Sequence, residues 1–240
     1  MGRVLLSSLA GVSLLALAVF PARADIVYLG PTNLGGQGFG NTTTILTLQA
    51  QGNNTTETAS IVPTTGGFST SGDLSGTGTE TSKYGTPTLG SLGWTTGSQV
   101  DLLFNANEPN SNSVTIPAGS LQLSFFDANN TAITLENGLT YLTNSAAVTI
   151  PNTAPGQGNS GFLFGLDATE QALLNSLVFS LPGFENFRIG LAATVNDVAG
   201  GPESFAALSA VPLPPSAVLL ASGLIGLGLL GRRKKRVRAI

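Results

Sequence analysis

The chain has 240 residues, with no cysteine and no histidine, and charged residues make up only 10% of it. That composition excludes a disulfide framework, the Ser-His-Asp and Cys-His nucleophile systems, and ordinary zinc sites. The formal charge of -3 hides an asymmetry: all 13 acidic residues lie between Asp25 and Glu203, where Lys83 and Arg188 are the only cations. Such a surface repels phosphates, so nucleic acid is not an expected partner.

The first segment reads as an address. Arg3 gives a positive start, residues 4–19 are mostly apolar, and Pro21 ends the run. Ala22 and Ala24 then place small side chains at the two positions a signal peptidase reads, predicting cleavage after Ala24 and a new N-terminus at Asp25. The competing reading is an uncleaved membrane helix, but about 16 apolar residues fall short of the roughly 20 needed to span.

Residues 25–205 are expected to form one extracytoplasmic domain. Short alternating runs, such as Val100, Leu102 and Phe104, or Leu121, Leu123 and Phe125, or Ile189, Leu191, Ala193 and Val195, predict strands. Residues 45–48 and 132–135 read the same way, and Asn137-Gly138 predicts a hairpin turn. The fold class expected is all-β, an antiparallel, jelly-roll-like β-sandwich. One short helix is expected where Asp167 precedes Glu170 by three positions, a capping signature. Residues 51–90, rich in Gly, Thr and Ser, read as long loops or weak edge strands. Residues 206–210 are expected to be a linker, and no fixed-period repeat is visible.

The chemistry left to such a domain is that of carboxylates. Asp101, Glu108, Asp127 and Glu136 are candidates for an acid pair of the glycosidase kind, against a plain reading as solvated acids. Asp127, Asn129 and Thr131 place oxygens at alternate positions, like the start of a calcium loop, but no Gly and closing Glu follow, and a plain turn is the alternative. The polar stretch 105–112 reads as a solvated loop, with calcium or sugar binding as the alternative, and 196–203 reads as a turn. The glycines of 35–40 lack the Lys of a phosphate loop. Asn-x-Thr triplets begin at Asn41, Asn53, Asn54 and Asn129. No resident cofactor is expected, calcium being the one ion with a plausible set of oxygens.

The last segment, residues 211–240, is a second address. Val211, Pro212, Leu213, Pro214 and Pro215 form a stiff extended stretch, because each Pro fixes its own backbone and restrains its predecessor. An apolar run follows to Leu230, and then the cluster Arg232, Arg233, Lys234, Lys235 and Arg236. Residues 216–231 as a helix measure about 24 Å, enough to span a thinned bilayer with the basic cluster on the cytoplasmic side. Ser222, Gly223, Gly226, Gly228 and Gly231 leave a smooth face for a second helix, or reflect only the frequency of Gly in membrane helices. Signature, apolar helix and terminal basic cluster together resemble the PEP-CTERM sorting signal, in a form similar to the Val-Pro-Leu-Pro-Ala variant, with Leu213 where the name-giving motif has Glu and Pro215 in place of Ala. The resemblance implies processing by an exosortase, a membrane protease of Gram-negative bacteria that make exopolysaccharide. It also implies transient anchoring in the inner membrane, then delivery to the cell surface or an exopolysaccharide-rich biofilm matrix. The function expected is therefore a non-catalytic surface or matrix protein. The alternatives are a secreted carbohydrate-active enzyme using a carboxylate pair, and a calcium-dependent glycan-binding module.

Overall fold

The computed structural model describes residues 25–32, 42–50, 52, 54–107, 113–151, 161–199 and 201–210. Both address segments lie outside them, with Ala22, Ala24, residues 211–215 and the basic cluster 232–236; so do Glu108, most of the 105–112 stretch, and the glycines of 35–40.

In chain order the described elements are β1 (Ile26–Thr32), β2 (Thr42–Leu48), β3 (Thr56–Thr64), β4 (Gly67–Gly72), α1 (Leu89–Leu92), β5 (Leu102–Asn105), β6 (Val114–Ile116) and β7 (Gln122–Phe126). They continue with β8 (Tyr141–Thr143), β9 (Val148–Ile150), β10 (Gly161–Leu166), α2 (Ala168–Leu177), β11 (Arg188–Asn196) and β12 (Glu203–Leu208). The chain is thus mostly β, as expected. Five strands form one antiparallel sheet in the order β1-β10-β5-β12-β2. The other sheet is built on β11. One edge of β11 pairs with β3, which carries β4; the opposite edge pairs with β7 over Arg188 to Ala192 and with β6 at Asn196.

Alternation explains the strands. β11 buries Ile189, Leu191, Ala193 and Val195 and turns Ala192, Thr194 and Asn196 outward. The buried side chains of both sheets belong to one hydrophobic cluster. Phe104 and Phe205 are register partners on β5 and β12, both fully buried, with ring centroids 4.7 Å apart. The single Trp94 is fully buried and donates its indole N–H to the Leu208 carbonyl at 2.8 Å.

α2 lies where the capping signature predicts it. Asp167 accepts from the amides of Thr169 and Glu170 at 2.7 and 3.1 Å. Gly97 lets the helix settle against the short turn before β5: a Cβ there would collide with the Gln171 backbone, and the Gly97 amide donates to Asn175 Oδ1 at 2.8 Å.

Three regions depart from expectation. Within 51–90, β3 is an interior strand between β4 and β11; its outward Thr and Ser disguise a strand whose inward face is Glu57, Ala59, Ile61 and Pro63. Residues 132–135 make only an isolated bridge, Phe126 to Ala132, and Asn137-Gly138 turns within the long β7–β8 connection instead of joining two strands directly. β12 continues to Leu208, through residues expected as linker, and the Ala210 amide donates to the Leu92 carbonyl at 2.9 Å. Among the described residues no helix is long and apolar enough to cross a membrane.

Among the described strands β12 is the one that β2 pairs with along its length, so ending the chain after Gly201 leaves it only the short contacts with residues 74–85. That truncation is expected to lose the cooperative thermal transition in circular dichroism, while a chain ending at Ala210 keeps it.

Candidate functional site

A depression of about 390 Å³ lies on the outer face of the sheet built on β11. Outward residues of β3 and β11 make its floor, the end of β4 one wall, and the 118–120 loop with Gln122 the other. The Thr58 and Thr194 hydroxyls face each other across the two strands at 3.0 Å. Ser120 Oγ donates to the Pro117 carbonyl at 2.8 Å, with the Thr194 carbonyl at 3.2 Å, and Gln122 Nε2 donates to the Gly119 carbonyl at 3.0 Å. Gly72 is required at its wall: its φ is 96°, and a Cβ would strike the Thr58 carbonyl. No ionisable or aromatic side chain lines the groove. Hydroxyls, one amide and backbone both donate and accept, which suits a neutral, hydroxyl-rich ligand.

The acids singled out in the sequence do not gather there. Asp101 precedes β5 in the five-stranded sheet and is half-buried, which raises its pKa. Asp127 follows β7 in the other sheet, and its Oδ1 accepts from the amides of Asn129 and Thr131, both at 2.8 Å. With Asn130 at φ 61°, this is an Asx-type turn whose carboxylate is engaged by its own loop. Glu136 opens the turn in which Asn137 and Gly138 take φ values of 56° and 77°; its side chain lies outside the described set. Asp197, at φ 65°, turns the chain out of β11, in the 196–203 stretch read as a turn. Among the described residues no three acidic groups are arranged to hold a metal ion.

The acids that sequence reading missed are the buried ones. Glu57 is 3% exposed; one oxygen accepts from the Ala50 amide at 2.7 Å, and the other has no hydrogen-bond partner. It lines a smaller cavity of about 270 Å³ with Asn54, Thr55 and Val198. Glu203 is fully buried at the start of β12. Glu170 is also 0% exposed. A signal existed for the first two: alternation puts Glu57 on the face of Ala59 and Ile61, and Glu203 on that of Phe205. Glu170 was legible only as a cap residue, which should turn back toward the Asp167 amide. Neither of its oxygens accepts a hydrogen bond of good geometry. Burial first, then a hydrogen bond to Asp167 and the negative charge of that residue, push its carboxyl up to about 7. The same hydrogen bond, ahead of the other contributions, holds Asp167 below its usual value.

Because Asp127 already ties two amides, Asp127→Ala is expected to lower stability by about 1 kcal/mol. Urea unfolding with and without millimolar calcium should give the same loss; a calcium-dependent difference would assign the loop to the ion instead.

The chain matches no family model, no curated protein and no solved structure.

Proposed function

We propose that this is an exported, non-catalytic surface or matrix protein of a Gram-negative bacterium, anchored briefly in the inner membrane by its tail and released by an exosortase-type protease. The observation that carries the reading is the order of parts in one chain. A signal peptide with Ala22 and Ala24 comes first, then an acidic domain, then residues 211–215, an apolar helix and the 232–236 basic cluster. A jelly-roll-like arrangement of the strands and a single C-terminal transmembrane helix belong to the same reading.

The described domain supports it in two ways. Its last described residue, Ala210, is still tied to Leu92, so a cut within 212–216 leaves every described element in place. Its groove presents neutral hydroxyls on an acidic protein, which suits a neutral polysaccharide partner in the extracellular matrix.

Intact mass of the protein recovered from host envelope and medium tests the sorting. A species running from Asp25 to a residue within 212–216 is expected outside the cell. A species that keeps Arg232 to Ile240 and stays in the inner membrane would mean a permanent anchor and would end the sorting proposal.

The groove gives a separate test. Ser60→Arg puts a long charged side chain on its floor, at an outward position where substitutions change stability by about 0.5 kcal/mol or less. Retention on host exopolysaccharide is expected to fall several-fold with the unfolding midpoint unchanged; unaltered retention would remove the groove as the binding face.

A further inference from the structure

The start of the described domain holds three carboxylates and no cation. The pairing of Ile26 with Leu166 sets Asp25 opposite Asp167, the N-cap of α2, and Glu170 sits in the first turn of that helix. A bridge to Thr143 fixes the Asp25 backbone from its other side. Glu170 is fully buried with neither oxygen in a hydrogen bond of good geometry, and Asp25 Oδ1 is buried and equally without one. The 97–99 turn and β10, against which α2 packs, contain no ionisable side chain. The two cations of residues 25–211 are engaged elsewhere: Lys83 pairs with Glu80 at 3.2 Å, and Arg188 donates to the Thr86 carbonyl at 2.7 Å. A buried, unpaired carboxylate is among the costlier features a fold can keep.

The missing cation is one the chain makes when it is cut. We infer that removal of residues 1–24 creates an α-ammonium on Asp25 that pairs with the buried Glu170 carboxylate, so that processing completes the fold. The inference rests on the export reading above. In the cut, water adds across the Ala24–Asp25 peptide bond. The hydroxyl goes to the Ala24 carboxyl, and the Asp25 nitrogen keeps the proton and takes up another at neutral pH. The placement follows from the backbone: the register of β1 on β10 carries Asp25 to the start of α2, where Glu170 lies in the first turn. In the uncut chain the Asp25 nitrogen is a neutral amide in poor hydrogen-bond geometry, and burial wins. After the cut it carries a full charge and three donors.

The two forms differ in their response to pH. In the uncut chain Glu170 titrates near 7 when folded and near the usual 4.5 when unfolded. Between those values the folded state binds more protons, so the uncut chain loses stability as pH rises from about 4.5 to about 7. In the cut chain the ammonium keeps Glu170 ionised and that loss disappears. The amine, with a free pKa of about 8, is raised by its partner. Its contribution is complete below that value and fades as pH rises through the folded value.

The test compares the full chain before and after cleavage by purified signal peptidase in detergent, each as wild type and as Glu170→Gln. N-terminal sequencing identifies the cut, and thermal unfolding is followed from pH 4.5 to 8. Cleavage is expected to start the chain at Asp25 and to raise the midpoint at pH 7 by roughly 5 °C or more, with little gain in Glu170→Gln. An N-terminus other than Asp25 would overturn the cleavage reading, and the ion pair with it. A correct N-terminus with no gain, or with an equal gain in Glu170→Gln, would overturn the ion pair and leave export standing. If Glu170→Gln does not fold, amine labelling decides with wild type alone. A paired Asp25 amine resists acetylation at pH 8 in the folded protein and reacts on unfolding, whereas immediate labelling in the folded state refutes the pair.

Discussion

The domain depends on where its last strand goes. β12 runs between β5 and β2, with Ser204 to Ala207 on one edge and the whole strand on the other. β2, whose Ile45, Leu46 and Leu48 are fully buried, has no other strand neighbour among the described residues beyond one bridge at Leu74, so its core residues are held mainly by a segment about 160 positions later in sequence. Phe205 brings its ring onto Phe104, and Trp94 reaches the Leu208 carbonyl. A core closed by its C-terminal strand cannot form until nearly all of the domain is present.

The second constraint is charge. Thirteen acids share residues 25–211 with two cations, and among the described ones Glu57, Glu170 and Glu203 are buried. Buried carboxylates need a positive partner, a proton or hydrogen-bond donors. Glu57 draws on a backbone amide, and Glu170 draws on its proton and on the N-terminus of α2. Outside, the sheets meet water with hydroxyls, as in the Thr58–Thr194 pair, so the acidic character does not extend into the groove.

Much of the fold was legible because burial on one face of a strand imposes a period of two. β7 and β11 carry that period in large side chains, and α2 carries a cap residue followed by a helical run. β3 was not legible: its inward face begins with a Glu and its outward face is Thr and Ser apart from Val62, so hydropathy alone shows no strand. The run 132–135 has the composition of a strand but finds only one bridge, since a strand exists only where a partner edge is offered. The groove was invisible for a related reason. It joins residues 58–60, 71–72, 118–122 and 192–194, and only the pairing of β3 with β11 and of β11 with β7 makes them neighbours.

By itself the sequence determined the mostly-β class, the position of α2, the acidic balance of the domain, and the kinds of chemistry its composition forbids. These are properties of local periodicity and counting, which need no knowledge of what lies beside what. The tertiary structure decided that β12 belongs to the core, that Asp127 serves its own turn, and that Glu170 points inward beside Asp25. Each of those depends on which distant segment supplies the neighbouring edge, and hence on whether a carboxylate meets water, an amide or the start of the chain.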